Sequence, residues 1–103
     1  MAFYPLANLM DLHDGYLRAF KVAGKNLLLL QEDGKTYLIE DRCPHMDAPL
    51  NSGKVVDGDI VCRAHGIAFN LSSGMAKGPL ANTLACLKRF DIIFDGNKLG
   101  VDI

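Results

Sequence analysis

Apolar and polar residues alternate in this chain over short runs broken by turn dipeptides. Tyr16 to Val22 (YLRAFKV) is the first clear strand pattern, and Ala23-Gly24 ends it. Asn26 to Gln31 holds four consecutive leucines, Leu27 to Leu30, a run suited to a strand covered on both faces. Asp33-Gly34 is a hairpin dipeptide, and Thr36 to Glu40 (TYLIE) reads as the return strand. Leu87 to Phe94 and Leu99 to Ile103 flank Asp95-Gly96-Asn97, which predicts another hairpin. No long stretch places apolar residues at i, i+3, i+4 and i+7, so helix is not expected. The two chain ends together predict one antiparallel framework.

The middle of the chain differs. Residues 42–80 hold three of the four prolines and five of the ten glycines. Lys54-Val-Val and Asp59-Ile-Val-Cys62 are short strand-like pieces joined by Asp57-Gly58, and Ile67-Ala-Phe69 is a third. This segment has too little continuous apolar surface to form a rigid core alone. The pattern predicts an all-β protein in a single domain. Residues 1–41 and 81–103 would form an antiparallel sandwich or partly open barrel, and about 42–80 an inserted small β subdomain held by a metal.

Composition narrows the function. Eleven Lys and Arg against twelve Asp and Glu give a net charge of −1, so no basic excess points to nucleic acid or an anionic membrane. No apolar run approaches the roughly 20 residues of a membrane span. No Lys or Arg precedes Arg18, which predicts no signal peptide and a cytoplasmic protein. Three cysteines are an odd number, which argues against a disulfide scaffold and for metal ligation. Cys86 lies in an apolar stretch and is expected to be a buried inert thiol; His13 is expected at the surface.

Cys43-Pro44-His45 and Cys62-Arg63-Ala64-His65 carry the chemistry. Sixteen residues separate His45 from Cys62. Four ligands stand as two pairs, each pair close enough to come from one tight loop, and two such loops close a tetrahedral shell. Four positions so specified coincide by chance at roughly one in a million per starting residue. Structural zinc also takes Cys₂His₂ shells, although zinc fingers place both cysteines first. Colour separates the two readings, because a zinc site is colourless.

The order Cys-x-His … Cys-x-x-His resembles the Rieske ferredoxin family, over essentially the whole chain. CPHMDAPLNSG (Cys43 to Gly53) resembles the family's first ligand loop and CRAHGIAFN (Cys62 to Asn70) its second. Gly78-Pro79-Leu80 resembles the proline loop that covers the cluster, and Cys86 to Ile103 the closing hairpin. The resemblance implies a [2Fe–2S] cluster with Cys43 and Cys62 on one iron and His45 and His65 on the other. Asp47 departs from the usual Gly and Arg63 from the usual Pro; the two either form an ion pair or stand as solvated charges.

Charge counting gives the consequence of this ligand set. Two ferric ions, two sulfides, two thiolates and two neutral imidazoles sum to zero, whereas an all-Cys cluster starts two charges more negative and takes up an electron less readily. The resemblance also implies a potential at the low end of the Rieske range. High-potential relatives carry a loop-to-loop disulfide where this chain has Ala48 and Ala64, and hydroxyls where it has Ile67 and Phe69. One spare histidine cannot build the two-His, one-carboxylate iron site of an oxygenase, and no G-x-G-x-x-G fingerprint is present.

The resemblance therefore implies a carrier and not an enzyme. It would be a monomer taking electrons from an NADH-dependent flavin ferredoxin reductase and passing them to a terminal oxygenase of the aromatic-ring dioxygenase type. Docking would use the cluster tip: His45, His65, Pro44, Met46, Ala48, Pro49, Ala64 and Pro79-Leu80. A Rieske-like small subunit of assimilatory nitrite reductase and a zinc-held binding domain are the other readings.

Overall fold

The computed structural model describes residues 2–43, 49–51, 53–63, 66–77 and 86–103. Among these residues nine strands account for nearly all the regular structure: β1 (Phe3–Asn8), β2 (Leu17–Val22), β3 (Lys25–Glu32), β4 (Lys35–Glu40), β5 (Lys54–Val56), β6 (Asp59–Val61), β7 (Ala68–Asn70), β8 (Ile93–Asp95) and β9 (Lys98–Asp102). One short 3-10 turn, Leu9–Asp11, is the only helix among the described residues. The strands form three antiparallel sheets, ordered β1-β9-β8, β2-β3-β4 and β5-β6-β7.

Turn chemistry sets the registers. Ala23-Gly24, Asp33-Gly34 and Asp57-Gly58 all have both residues at positive φ, between 49° and 81°. That is the backbone of a two-residue hairpin whose twist matches the flanking strands. Each turn then fixes its pairing: Val22 opposite Lys25, Glu32 opposite Lys35, Val56 opposite Asp59.

The leucine run of β3 is covered on both sides, as its pattern predicts. Leu27 and Leu29 join Val22, Leu38, Leu99 and Val101 in one core cluster, between the β2-β3-β4 and β1-β9-β8 sheets. Leu28 and Leu30 point the other way, into a cluster with Ile39, Leu50, Ile60, Phe69, Leu71, Cys43 and Cys62. All four leucines are at most 1% exposed. Burying one such side chain is worth about 1.5–3 kcal/mol, so this strand is the shared wall on which both cores rest.

Two features depart from the sequence reading. Phe3–Asn8 is a strand although its pattern is interrupted by Pro5. It pairs with β9, and the register shifts between Pro5 and Ala7. A proline has no N–H to give to a ladder, so it sits at such an irregularity. The expected strand over Leu87 to Phe94 splits in two. Residues 88–90 meet β4 through one bridge, Ile39 opposite Arg89, with Glu40 N–H donating to Lys88 O (2.8 Å) and Phe90 N–H to Leu38 O (2.8 Å). Only Ile93–Asp95 reaches β9. The segment crosses from one sheet to another and cannot pair with both along its length.

The loop before β2 is tied to the β3–β4 turn by Asp14. Its carboxylate accepts from Gly34 N–H (2.9 Å) and from the Gln31 amide (3.3 Å). These two bonds, the backbone one first, hold the Asp14 carboxyl below its ordinary value of 3.8. A depressed native value means stability that is present above the unfolded value and lost as pH falls through the native one. Asp14→Asn should therefore lower stability at neutral pH, with the gap to wild type closing below about pH 4. Chemical denaturation at several pH values checks this. Gly100 makes a second expectation. A Cβ there would strike the Tyr4 carbonyl and lie 2.9 Å from the Phe3 ring. Gly100→Ala should cost about 1–3 kcal/mol, read as a lower Tm.

Candidate metal centre

The β5-β6-β7 sheet and the loops on either side of it place the two cysteines. Cys43 follows β4 and Cys62 follows β6, and both side chains are fully buried in one core cluster with Leu50, Ile60 and Phe69. Thiols are compact and apolar enough to be buried there, and their chemistry is that of metal ligands once deprotonated.

The first loop is closed by a residue outside the motif. The Asp41 carboxylate accepts from Leu50 N–H (2.7 Å) and Asn51 N–H (2.8 Å). This ties the chain two residues before Cys43 to the chain that leaves the loop. Asp41 is itself fixed, since its N–H donates to Asn26 O (2.9 Å). Gly53 finishes the closure. Its N–H donates to Leu50 O (2.9 Å), and a Cβ on it would lie 2.5 Å from Val61 O. Only glycine lets this loop lie against β6 immediately before Cys62.

The ends of the second loop are joined by backbone hydrogen bonds. Gly66 N–H donates to Cys62 O (2.7 Å) and Cys62 N–H donates to Ile67 O (2.9 Å). Gly66 takes φ of +67°, which its lack of a Cβ permits. The chain then enters β7, where Phe69 is fully buried in the same core cluster as both cysteines and Ile67 packs partly buried against it. Neither side chain carries a hydroxyl.

His45 and His65, the other two expected ligands, lie outside the described residues, as do Asp47, Ala48, Ala64 and Gly78-Pro79-Leu80. The expected Asp47–Arg63 pair therefore falls there too; Arg63 itself is exposed. Pro49, on the expected docking tip, is exposed. His13 is at the surface as expected, edge-on to the Tyr16 ring at 5.9 Å between centroids. Cys86 corrects the sequence reading: it is exposed, not buried. Its neighbour Leu87 takes the core position at 4% exposure, and in an extended chain adjacent side chains face opposite ways.

The family model for the Rieske [2Fe-2S] domain matches residues 2–88. The chain belongs to the Rieske [2Fe–2S] domain family. Among curated relatives, this Rieske chain is 31% identical over 90 residues to the ferredoxin component of the alkene monooxygenase system of Xanthobacter autotrophicus, covering 86% of this chain and 71% of that one. It is 32% identical over 69 residues to apoptosis-inducing factor 3 of Mus musculus, which covers 67% of this chain and only 11% of that protein. The chain thus spans about a tenth of the length of that relative.

Among solved structures, the ferredoxin of carbazole 1,9a-dioxygenase from Nocardioides aromaticivorans IC177 superposes with a TM-score of 0.83. It is 23% identical and covers 98% of this chain and 97% of its own, which establishes the fold. A chain in the complex of reduced oxygenase and oxidized ferredoxin of carbazole 1,9a-dioxygenase gives a TM-score of 0.83 at 25% identity, over 96% of this chain and 91% of that one.

The cofactor is thus a Rieske-type [2Fe–2S] cluster, and the described residues fit it. Two loops, each closed by its own hydrogen bonds, deliver one buried thiol apiece to the same core. Closure of the first loop makes a testable demand on Asp41. Asp41→Ala removes the acceptor of two N–H groups, so it should cost about 1–3 kcal/mol of stability and speed the loss of visible absorption under an iron chelator. An absorption decay equal to that of wild type would place the loop's closure elsewhere.

Proposed function

We propose that this protein is a one-electron carrier whose cluster is held by Cys43, His45, Cys62 and His65. The observation that carries the reading is the burial of Cys43 and Cys62 together in one core cluster at the mouths of the two motif loops. When bound, the cluster supplies reversible one-electron storage. The protein's own contribution is to hold two thiolates away from water at one iron and to present two imidazoles at the other. Residues about 42–80 serve as the cluster-binding subdomain and the chain ends as its framework.

The donor is an NADH-dependent flavin ferredoxin reductase and the acceptor a terminal oxygenase of the aromatic-ring dioxygenase type. Support comes from the similarity to an alkene monooxygenase ferredoxin component and to a carbazole dioxygenase ferredoxin that has been solved together with its oxygenase. The carrier works as a monomer, since one encounter face must be open to two partners in turn. It works in the cytoplasm, a reading supported by an odd cysteine count that suits no disulfide scaffold. No helix among the described residues is long and apolar enough to cross a membrane.

The surroundings of the cysteines argue for a low potential. The side chains of Phe69 and Ile67 pack in the cysteine core without a hydroxyl, so these side chains give no hydrogen bond to sulfur and do not stabilise the more negative reduced state. The midpoint should lie toward the lower end of about −150 to +300 mV, and Phe69→Tyr should raise it. Redox titration followed by visible absorption tests both, and a wild-type midpoint above about +100 mV would contradict this use of the surrounding side chains. The carrier role is tested by mixing the reduced protein anaerobically with an oxidised ring-hydroxylating oxygenase. Rapid reoxidation is expected; a protein that stays reduced would overturn the role.

A further inference from the structure

β7 is hydrogen-bonded on both edges. On one side it pairs with β6, with Asp59 opposite Asn70, Ile60 opposite Phe69 and Val61 opposite Ala68. On the other it meets residues 75–77: Phe69 bridges to Ala76, Asn70 N–H donates to Met75 O (2.9 Å) and Lys77 N–H donates to Ala68 O (2.9 Å). Alternation then sorts the side chains. Ile60, Phe69 and Ala76 share the core face and are at most 5% exposed. Asp59, Asn70 and Lys77 share the other face.

On that face Lys77 Nζ lies 2.6 Å from Asp59 Oδ2, reaching diagonally across β7. The Asp59 side chain is 11% exposed and that of Lys77 is 54% exposed. Asp59 is the only buried charged residue among the described ones. A carboxylate so nearly removed from water needs a partner. The Asn70 amide adds a long contact of 3.5 Å to Asp59 Oδ1, while its carbonyl oxygen accepts from Ser72 N–H (3.0 Å) and Ser73 N–H (2.9 Å), shaping the turn that leads to Lys77.

The placement in the chain gives this pair its meaning. Asp59 lies three residues before Cys62, on the strand that feeds the second cysteine loop. Lys77 ends the stretch that pairs with the other edge of β7. We infer that Asp59 and Lys77 are positioning residues that lock the strand feeding the second ligand loop to residues 75–77 across β7, so that the pair governs how firmly the root of that loop holds the cluster. The inference rests on the cluster reading proposed above. The pair lies on the face of the sheet opposite the cysteine core; it acts through the two stretches of backbone it joins.

The test uses the intact cluster-loaded protein and follows bleaching of its visible absorption by an iron chelator, at a fixed interval below each variant's own Tm. Lys77→Met alone strands a buried carboxylate and should melt early. Asp59→Asn with Lys77→Met removes both charges, so no buried charge is left unpaired, yet the tether is gone. The double variant should bleach about fivefold faster than wild type, the factor that a modest ion pair supplies. Lys77→Arg keeps the pair and should bleach at the wild-type rate. A double variant that bleaches like wild type would overturn the inference while leaving the carrier reading intact. A wild-type protein that never shows a [2Fe–2S] spectrum would overturn both.

Discussion

Cys43 and Cys62, nineteen residues apart in the chain, must meet in one buried core, and most of this fold is organised by that requirement. A loop that carries a metal ligand gains little by folding alone, because ordering each residue costs about 1–2 kcal/mol in chain entropy. Here the cost is met by closure at the roots. Asp41 clasps the two ends of the first loop, Gly53 lets it lie against β6, and Gly66 turns the second loop back into β7. The thiols of Cys43 and Cys62 then share a core with Phe69, Leu50 and Ile60 without a charged side chain among them.

That core needs a wall, and β3 supplies it. A strand with polar residues on alternate positions could support only one core. Leu27 to Leu30 present apolar surface to both sides, so the framework of the chain ends and the cysteine core are built on the same strand. The same economy appears at residues 88–90, which pair with β4 on the way to β8 and so link the two framework sheets. The chain ends hold the frame, and the middle is free to be specialised for chemistry.

Much of this was legible in the sequence, for definite physical reasons. Asp33-Gly34 and Asp57-Gly58 announce their turns because few dipeptides tolerate two positive φ angles, and the flanking strands follow from them. The leucine run declares a strand buried on both faces. The ligand motif is legible because no core packing demands Cys and His in that order. What stayed hidden depends on distant partners. Phe3–Asn8 is a strand only because β9 receives it despite Pro5. The role of Asp41 comes from N–H groups nine and ten residues away, and no local pattern reveals it. Cys86 was misread because an apolar neighbourhood does not say which of two adjacent residues turns inward; Leu87 does.

The central claim is that these two loops enclose a bridged pair of irons with sulfur ligands at one and nitrogen ligands at the other. Mössbauer spectroscopy of the dithionite-reduced, iron-57-labelled protein addresses it most directly. Two inequivalent iron sites in equal amount are expected, one with sulfur ligands only and one with nitrogen ligands as well. Two equivalent sulfur-ligated sites, or a single mononuclear iron, would contradict it.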